Sequence, residues 1–352
     1  MSKRGPTLHE IARDAGVSIA TVSRVARGVG QVSEETRRKV QEAIDKHNFR
    51  PSHFGRALVE RRHAALGIVF PGLSGPYYSE VINGFEEEAV NARVSVLIMG
   101  THLLRESVDL VLDMADRVDG IAVMGGVLPD DAVRRLEARG DPVILLASRP
   151  LVGVPTMRTE NTAAVAKLTT HLLRDHGYER LEFVGNPDGS PDATYRWRGF
   201  LRAHRQAGVE PPAEPIRVGL QQSDGFIAAA RLLESSDPPR AIVCANDETA
   251  LGAVVALMDR GYRVPQDIAV TGFDDIPMAG LLASGLTTVH QPMRELGAET
   301  ARLLLRHVEG QIDASLDRVL ETQVVIRGSC GCGDVGEQDA VVSTHSSPGG
   351  TT

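Results

Sequence analysis

The chain has 352 residues, too many for one typical core, and its 42% hydrophobic content is that of a globular protein, neither fibrous nor disordered. No apolar run approaches the roughly 18 residues of a membrane span, MSKRGPTLHE is not a signal-peptide core, and three cysteines (Cys244, Cys330, Cys332) exclude a disulfide framework, so a cytoplasmic protein is expected. The net charge of -8 conceals an asymmetry: residues 1–62 carry 13 Lys and Arg against 7 Asp and Glu, while the other 290 carry 25 against 39, the pattern of a small polyanion-binding module on an acidic body.

Thr7 and Glu10 have capping-box spacing, which predicts a helix with Leu8, Ile11, Ala12 and Ala15 on one face. Gly16 supplies a turn, Ser18 can cap a second helix, and Val17, Val22 and Val25 give that helix an apolar side to set against the first. Two helices so joined read as a helix-turn-helix. Ser18, Ile19, Ala20, Thr21, Ser23 and Arg24 are left facing outward or towards the helix start, where a recognition helix meets base edges and phosphates. Ser33-Glu34-Glu35 opens a third helix with Val40, Ala43 and Ile44 on its apolar face. Pro51 then breaks the pattern, and residues 49–62 (FRPSHFGRALVERR) offer a short helix carrying Phe54, Arg56 and Leu58. Alone it is too short to hold, and it is expected to form only against DNA and a partner chain.

From Leu66 the texture changes. Short apolar runs at 66–70, 94–99, 120–124 and 143–147, then at 181–185, 241–246 and 268–273, alternate with helical stretches. The helices are expected over 77–92, 130–139, 162–176, 195–207, 225–233 and 248–260. Continuous apolar strands separated by helices indicate parallel sheets covered on both faces, and two series imply two sheets, with ligands at the strand ends or between the lobes. The Gly-, Ser-, Asp- and Thr-rich stretch 331–352 reads as a disordered tail.

With TLHEIARDAGVSIATVSRV, VSEETRRKVQEAI, FRPSHFGRAL, CANDETALGA, VPQDIAVTGFDD and LTTVHQP in this order and spacing, the chain resembles the LacI/GalR family of bacterial transcription regulators over nearly its whole length to about residue 330. The resemblance implies an all-α helix-turn-helix head (1–48), a hinge helix (49–62) and an α/β two-lobed core like the periplasmic sugar-binding proteins (63–330). One lobe would hold about 63–160 and 293–320, the other about 161–292 and 321–330. The implied function is a ligand-responsive repressor that binds a palindromic operator in double-stranded DNA as a homodimer.

On that likeness the second helix enters the major groove. Ile19 and Ala20 occupy the positions that vary operator choice, and Thr7, Ser18, Thr21, Ser23 and Arg24 supply backbone and base contacts. Ile19 and Ala20 offer only apolar contact, so hydrogen-bonded readout rests heavily on Arg24. Leu58 matches the leucine that wedges into the minor groove, with Arg56 close enough for phosphate. Ser52 and Gly55 depart from the usual Asn and Ala, and a Gly there weakens the helix by about 0.5–1 kcal/mol.

The family places effector contacts at the positions of Arg196, Asn246 and Asp274, with Arg149 next, and a sugar or sugar derivative is the effector it implies. Asp and Asn suit vicinal hydroxyls and Arg supplies a rigid fork. In PGLSGPYY, Gly72 and Gly75 stand where relatives carry Asp and Asn, which brings Tyr77 and Tyr78 forward as contacts. VGLQQSDGF lacks the aromatic that relatives often stack on the ligand, so Leu220 or Gln221 must fill that space. Asp247 and Asp275 read as helix and loop caps.

The alternatives are an enzyme using the Asp274-Asp275 or Asp247-Glu248 carboxylates and a transport binding protein on the same core. Adjacent carboxylates are poor acid-base machinery without a matched partner, and there is no Walker loop, G-x-G-x-x-G after a strand, or nucleophile elbow. The basic head argues against a transport role. Cys330-Gly331-Cys332 is short of the four ligands of a zinc site, so neither a metal nor a cofactor is expected.

Overall fold

The computed structural model describes residues 7–27, 31–47, 63–312 and 316–333. The expected hinge, with Ser52, Gly55, Arg56 and Leu58, and residues 334–352 of the expected tail lie outside the described residues. Two compact units result, one within Met1–Ala65 together with Arg117–Asp119, the other within Leu66–Asp116 and Gly120–Thr352.

The first unit holds α1 (Leu8–Ala15), α2 (Ile19–Arg27) and α3 (Glu34–Lys46). Thr7 and Glu10 cap α1 reciprocally: the Glu10 amide donates to Thr7 Oγ1 and the Thr7 amide to Glu10 Oε2 (2.7 Å). Gly16 then takes φ +65°, the left-handed conformation that lets the chain turn sharply into α2 without a Cβ penalty. Ser18 caps α2 through the Thr21 amide, and Ser33 caps α3 through the Thr36 amide. Ile11, Val22 and Val40 are fully buried where the three helices meet, with Ala12, Ala15, Val25 and Ala43 around them.

The second unit opens with β1 (Ala65–Phe70), α4 (Pro76–Asn91), β2 (Ser95–Gly100), α5 (Ser107–Ala115), β3 (Gly120–Met124), α6 (Asp130–Arg139), β4 (Val143–Leu146) and β5 (Thr156–Thr159). It continues with α7 (Thr162–Thr170), a π-helical turn His171–Asp175, β6 (Leu181–Val184), α8 (Pro191–Ala207), α9 (Gln222–Leu232), β7 (Ala241–Cys244), α10 (Asp247–Asp259) and β8 (Ala269–Thr271). β9 (Thr288–His290), α11 (Met293–Val308), β10 (Asp317–Leu320) and β11 (Gln323–Val325) follow. A six-stranded sheet has the order β10-β5-β4-β3-β1-β2, a parallel sheet the order β6-β7-β8, and β9 pairs with β11 antiparallel. This is the two-lobed α/β architecture, with helices on the sheets, that the alternating runs predict.

The chain passes between the lobes after β5, between β9 and α11, and between β10 and β11. The apolar runs account for β1 to β4 and β6 to β8. β5 (TMRT) and β10 (DRVL) escaped because they alternate little and are polar: Thr156 and Thr159 are buried with their hydroxyls bonded to Val154 O and Gln291, and β10 is mostly exposed. The helices α5 and α11 were also not anticipated. In the second lobe α9 and α10 pack backbone to backbone, since a Cβ at Gly225 would lie 1.9 Å from Thr249 O and one at Gly252 the same distance from Gln222 O. Gly331 to Gly333, placed in the disordered tail by composition, are described, and Cys332 is half-buried beside α7's C-terminal turn.

Candidate functional site

In the head, Ile19, Ala20, Ser18 and Arg24 are exposed and Thr21 and Ser23 half-exposed, while Val22 and Val25 face inward. Residues of one helix thus divide between core and solvent as the 3.6-residue period requires. Arg24 Nε reaches back to Ala20 O at 3.4 Å, a weak contact that leaves its other donors outward. Thr7 is spent on its cap, at the positive end of α1, and the Ser18 hydroxyl is shared between the Thr21 amide and hydroxyl. Among the described side chains the face offers the Arg24 cation, two apolar side chains and short hydroxyls, the inventory for phosphate contacts and apolar contact with thymine methyls.

In the core a cavity of about 390 Å³ lies between the lobes, lined from the first by Leu73, Ser74, Tyr77, Tyr78, His102 and Met124 and from the second by Ser190, Asp192, Arg196, Leu220, Gln221, Asn246, Glu248 and Asp274. Arg196, in the second turn of α8, organises its floor. It is 4% exposed; Nε donates to Asn161 Oδ1 (2.7 Å), Nη1 to Ala245 O (2.6 Å), and the guanidinium lies 3.7 Å over the Phe273 ring. Asp274 and Asp192 stand 3.6 Å and 3.8 Å from it. Burial pushes both carboxyls above their ordinary range, well above it for Asp274, with Arg196 pulling each back down. Asp274 also accepts from Gln291 Nε2 (2.6 Å) and is held at φ +116°, a strained backbone that for a non-glycine residue marks a site where position matters more than stability.

Tyr77 lines the opposite wall. Its hydroxyl is buried without a hydrogen-bond partner, and burial raises it well above the usual phenol range. Tyr78, edge-on to Phe70 and Tyr77, is pushed up to about 12, again chiefly by burial. Asn246 reaches the cavity but spends its amide on the fold: Oδ1 accepts from the Thr249 amide and hydroxyl, and Nδ2 donates to Leu220 O (2.9 Å). Arg149 is not brought to this cavity. It is exposed and clamps Asp130 at 2.6–2.7 Å beside an adjoining hollow.

Asp247 and Asp275 hold the frame. Asp247 accepts from Thr288 Oγ1 (2.5 Å) and the Ile276 amide (2.9 Å), burial raising its carboxyl to about 7. Asp275 bonds Arg327 and His290. Gly75, at φ +106°, lets the chain pass against the Glu248 carboxylate, whose Oε2 would lie 2.4 Å from any Cβ there. Trp197 packs on Phe183 and Phe200, away from ligand reach. Sequence reasoning missed Asn161, Asp192 and Gln291, and named Glu248 only as half of a carboxylate pair for an enzyme; Asn161 follows a strand end, but no local pattern distinguishes it from a cap.

Residues 7–52 match the family described as "Bacterial regulatory proteins, lacI family", and residues 170–330 match a periplasmic binding protein-like domain. Over 328 residues the chain is 31% identical to the HTH-type transcriptional repressor CytR of Escherichia coli strain K12, covering 92% of this chain and 96% of that one. The chain belongs to the lacI family of bacterial regulatory proteins. Among its lacI-family relatives, catabolite control protein A of Priestia megaterium is 30% identical over 316 residues, covering 88% of this chain and 95% of the other. The solved Lac repressor dimer bound to operator and the anti-inducer ONPF superposes with a TM-score of 0.82 at 26% identity, covering 93% of this chain and 99% of that one. The regulator CelR in complex with cellobiose gives 0.69 at 27% identity, covering 92% and 99%. This lacI-family chain is therefore a DNA-binding transcriptional regulator: α1 and α2 lie within the residues that match the family's regulatory domain, and the cavity between the lobes lies in its periplasmic-binding-protein-like core.

Proposed function

We propose that this regulator is a cytoplasmic, homodimeric repressor whose effector is a neutral, hydroxyl-rich molecule, a sugar or sugar derivative, held between the lobes. The observation that carries the ligand class is the charge balance of the cavity. Asp192, Asp274 and Glu248 face a single buried guanidinium, and that guanidinium is already shared between Asn161 and Ala245 O. Among the described residues that line the cavity the carboxyl groups outnumber the one guanidinium, which disfavours a phosphate or carboxylate, whereas vicinal hydroxyls can donate to the carboxylates and accept from the N–H groups that Arg196 has left. The unpartnered Tyr77 hydroxyl supports the same reading, because a buried donor left unmade costs about 1–3 kcal/mol that a ligand oxygen recovers. The volume, about 390 Å³, suits a small ligand.

A ligand touching Tyr77 on one lobe and Arg196 on the other binds the two lobe angles unequally. Operator affinity then changes by that difference in binding free energy and by no more. Dimerisation follows from the small size of one head and from the dimeric Lac repressor that the chain resembles. One member of each adjacent carboxylate pair is tied into structure, Asp275 to Arg327 and His290 and Asp247 to Thr288 and the Ile276 amide, so neither pair is free to act as a matched acid and base and a regulator reading is preferred to an enzyme.

The test is a thermal-shift panel of neutral sugars, nucleosides and sugar phosphates on the full-length protein, followed by anisotropy on operators selected from random duplex DNA. Neutral polyols should raise the melting temperature and move operator affinity. Stabilisation by sugar phosphates alone, or hits that leave DNA affinity untouched, overturns the proposal. Arg24→Ala should abolish specific binding while leaving the ligand shift intact.

A further inference from the structure

Outside the effector cavity, the second lobe brings His171, His176, Cys330 and Cys332 together with their four ligand atoms all within 4.8 Å of one another. From this geometry we propose a structural zinc site that fastens the segment after β11 to the end of α7. His171 Nε2 lies 3.1 Å from His176 Nε2, 3.5 Å from Cys330 Sγ and 3.4 Å from Cys332 Sγ, and Cys332 Sγ is 3.4 Å from His176 Nε2. A tetrahedral zinc ion with Zn–N of about 2.0–2.1 Å and Zn–S of about 2.3 Å sets N···N edges near ~3.4 Å and S···N edges near ~3.6 Å. Four of the six edges, at 3.1–3.5 Å, lie close to those of that tetrahedron, and the other two are within 4.8 Å.

Hydrogen bonding accounts for the cluster poorly. Nδ1 of His171 lies 2.7 Å from Asp175 Oδ2, and the proton that this bond needs leaves Nε2 of the neutral ring with one lone pair. Three neighbours crowd that one lone pair. A cation at the centre engages all four groups at once, and Asp175 behind His171 is the carboxylate that orients a zinc-ligating imidazole. Two thiolates balance the charge of the ion. Cys330 Sγ gives up a contact with Arg327 O (3.2 Å) on losing its proton.

The backbone builds the site from both sides. The π-helical turn His171–Asp175 widens the helix end, so that two residues five apart come together, the His176 amide donating to His171 O (3.4 Å). Between the cysteines Gly331 takes φ +104°, and a Cβ there would lie 2.6 Å from Tyr178 Oη. Tyr178 stacks on the His176 ring and donates to Cys330 O (3.1 Å). With all four positions supplied by protein, the site is structural and has no open position for catalysis.

The test uses full-length protein prepared without a polyhistidine tag or chelator. Elemental analysis should find about one zinc per protomer, and chelator-stripped, reduced protein should regain one equivalent after incubation with zinc and desalting. Cobalt(II) in place of zinc should give thiolate charge-transfer absorption and the visible bands of a tetrahedral site. Cys332→Ser and His176→Gln should each reduce bound zinc from one equivalent to less than a tenth. Failure of the reduced wild-type protein to retain zinc, a cobalt spectrum without thiolate bands, or full zinc retention by both variants overturns the proposal. So does a Cys330-Cys332 disulfide that takes up no zinc after reduction. The wild-type measurements decide the matter if either variant fails to fold.

Discussion

Replacing Arg196 with Met tests the reading of the cavity floor most directly. The guanidinium is 4% exposed and makes two short charge-assisted hydrogen bonds, to Asn161 and Ala245 O, besides standing between Asp192 and Asp274. Such bonds contribute about 1.5–3 kcal/mol each, and breaking a buried ion pair from one side costs about 3–5 kcal/mol. These contributions overlap, so the expected loss is about 3–5 kcal/mol, or a melting temperature lower by about 6–10 °C. The loss should depend on pH. Asp192 and Asp274 already have raised carboxyls in the folded state, so the stability they contribute is present in acid and is lost as pH rises through their folded values. Removing the cation that pulls them down raises them further and enlarges that loss. The deficit of Arg196→Met should therefore be greater at pH 8 than at pH 5, and the effector shift should vanish at both. Calorimetry with and without the effector checks this. A melting temperature within 2 °C of wild type, or a deficit that grows in acid, would refute the account.

Arg149→Ala, by contrast, should leave effector affinity within about twofold, because Arg149 pairs with Asp130 away from the cavity; a tenfold loss by titration calorimetry would return it to the site. The carboxyl of Asp247, raised from its ordinary value to about 7, keeps its proton in the folded but not the unfolded state between pH 4 and 7, so its share of stability falls by up to ~1.4 kcal/mol per pH unit across that window. Asp247→Asn should flatten the wild-type slope by that amount in urea titrations run at several pH values, and parallel slopes count against it. Gly225→Ala should destabilise the second lobe by about 1–3 kcal/mol, since its Cβ would meet Thr249 O at 1.9 Å and force α9 from α10; an unchanged urea midpoint contradicts that packing.

Local chemistry determined the head and the repeating body. Thr7, Glu10 and Gly16 set the ends of α1 through bonds within four residues, and seven apolar runs became seven strands, six of them largely buried, as a strand covered on both faces must be apolar throughout, and one, β2, at the sheet edge and partly exposed. Motif order went further, to the family and to Arg196 and Asp274 as cavity residues. Tertiary structure decided what those residues do. Asn246 ends a strand as expected, yet its amide is consumed by Thr249 and Leu220 O, and Arg149 turned out to serve Asp130. Asn161, Asp192 and Gln291 carried no signal, because a polar residue buried by distant partners looks in sequence like one in solvent. The two cysteines near the C-terminal end of the core seemed short of ligands for the same reason: the histidines beside them are 159 and 156 residues away, and only a widened helix turn makes them neighbours. Periodicity and capping report interactions that close within a few residues, whereas a binding site closes across the crossings between lobes and is settled only when the chain has folded.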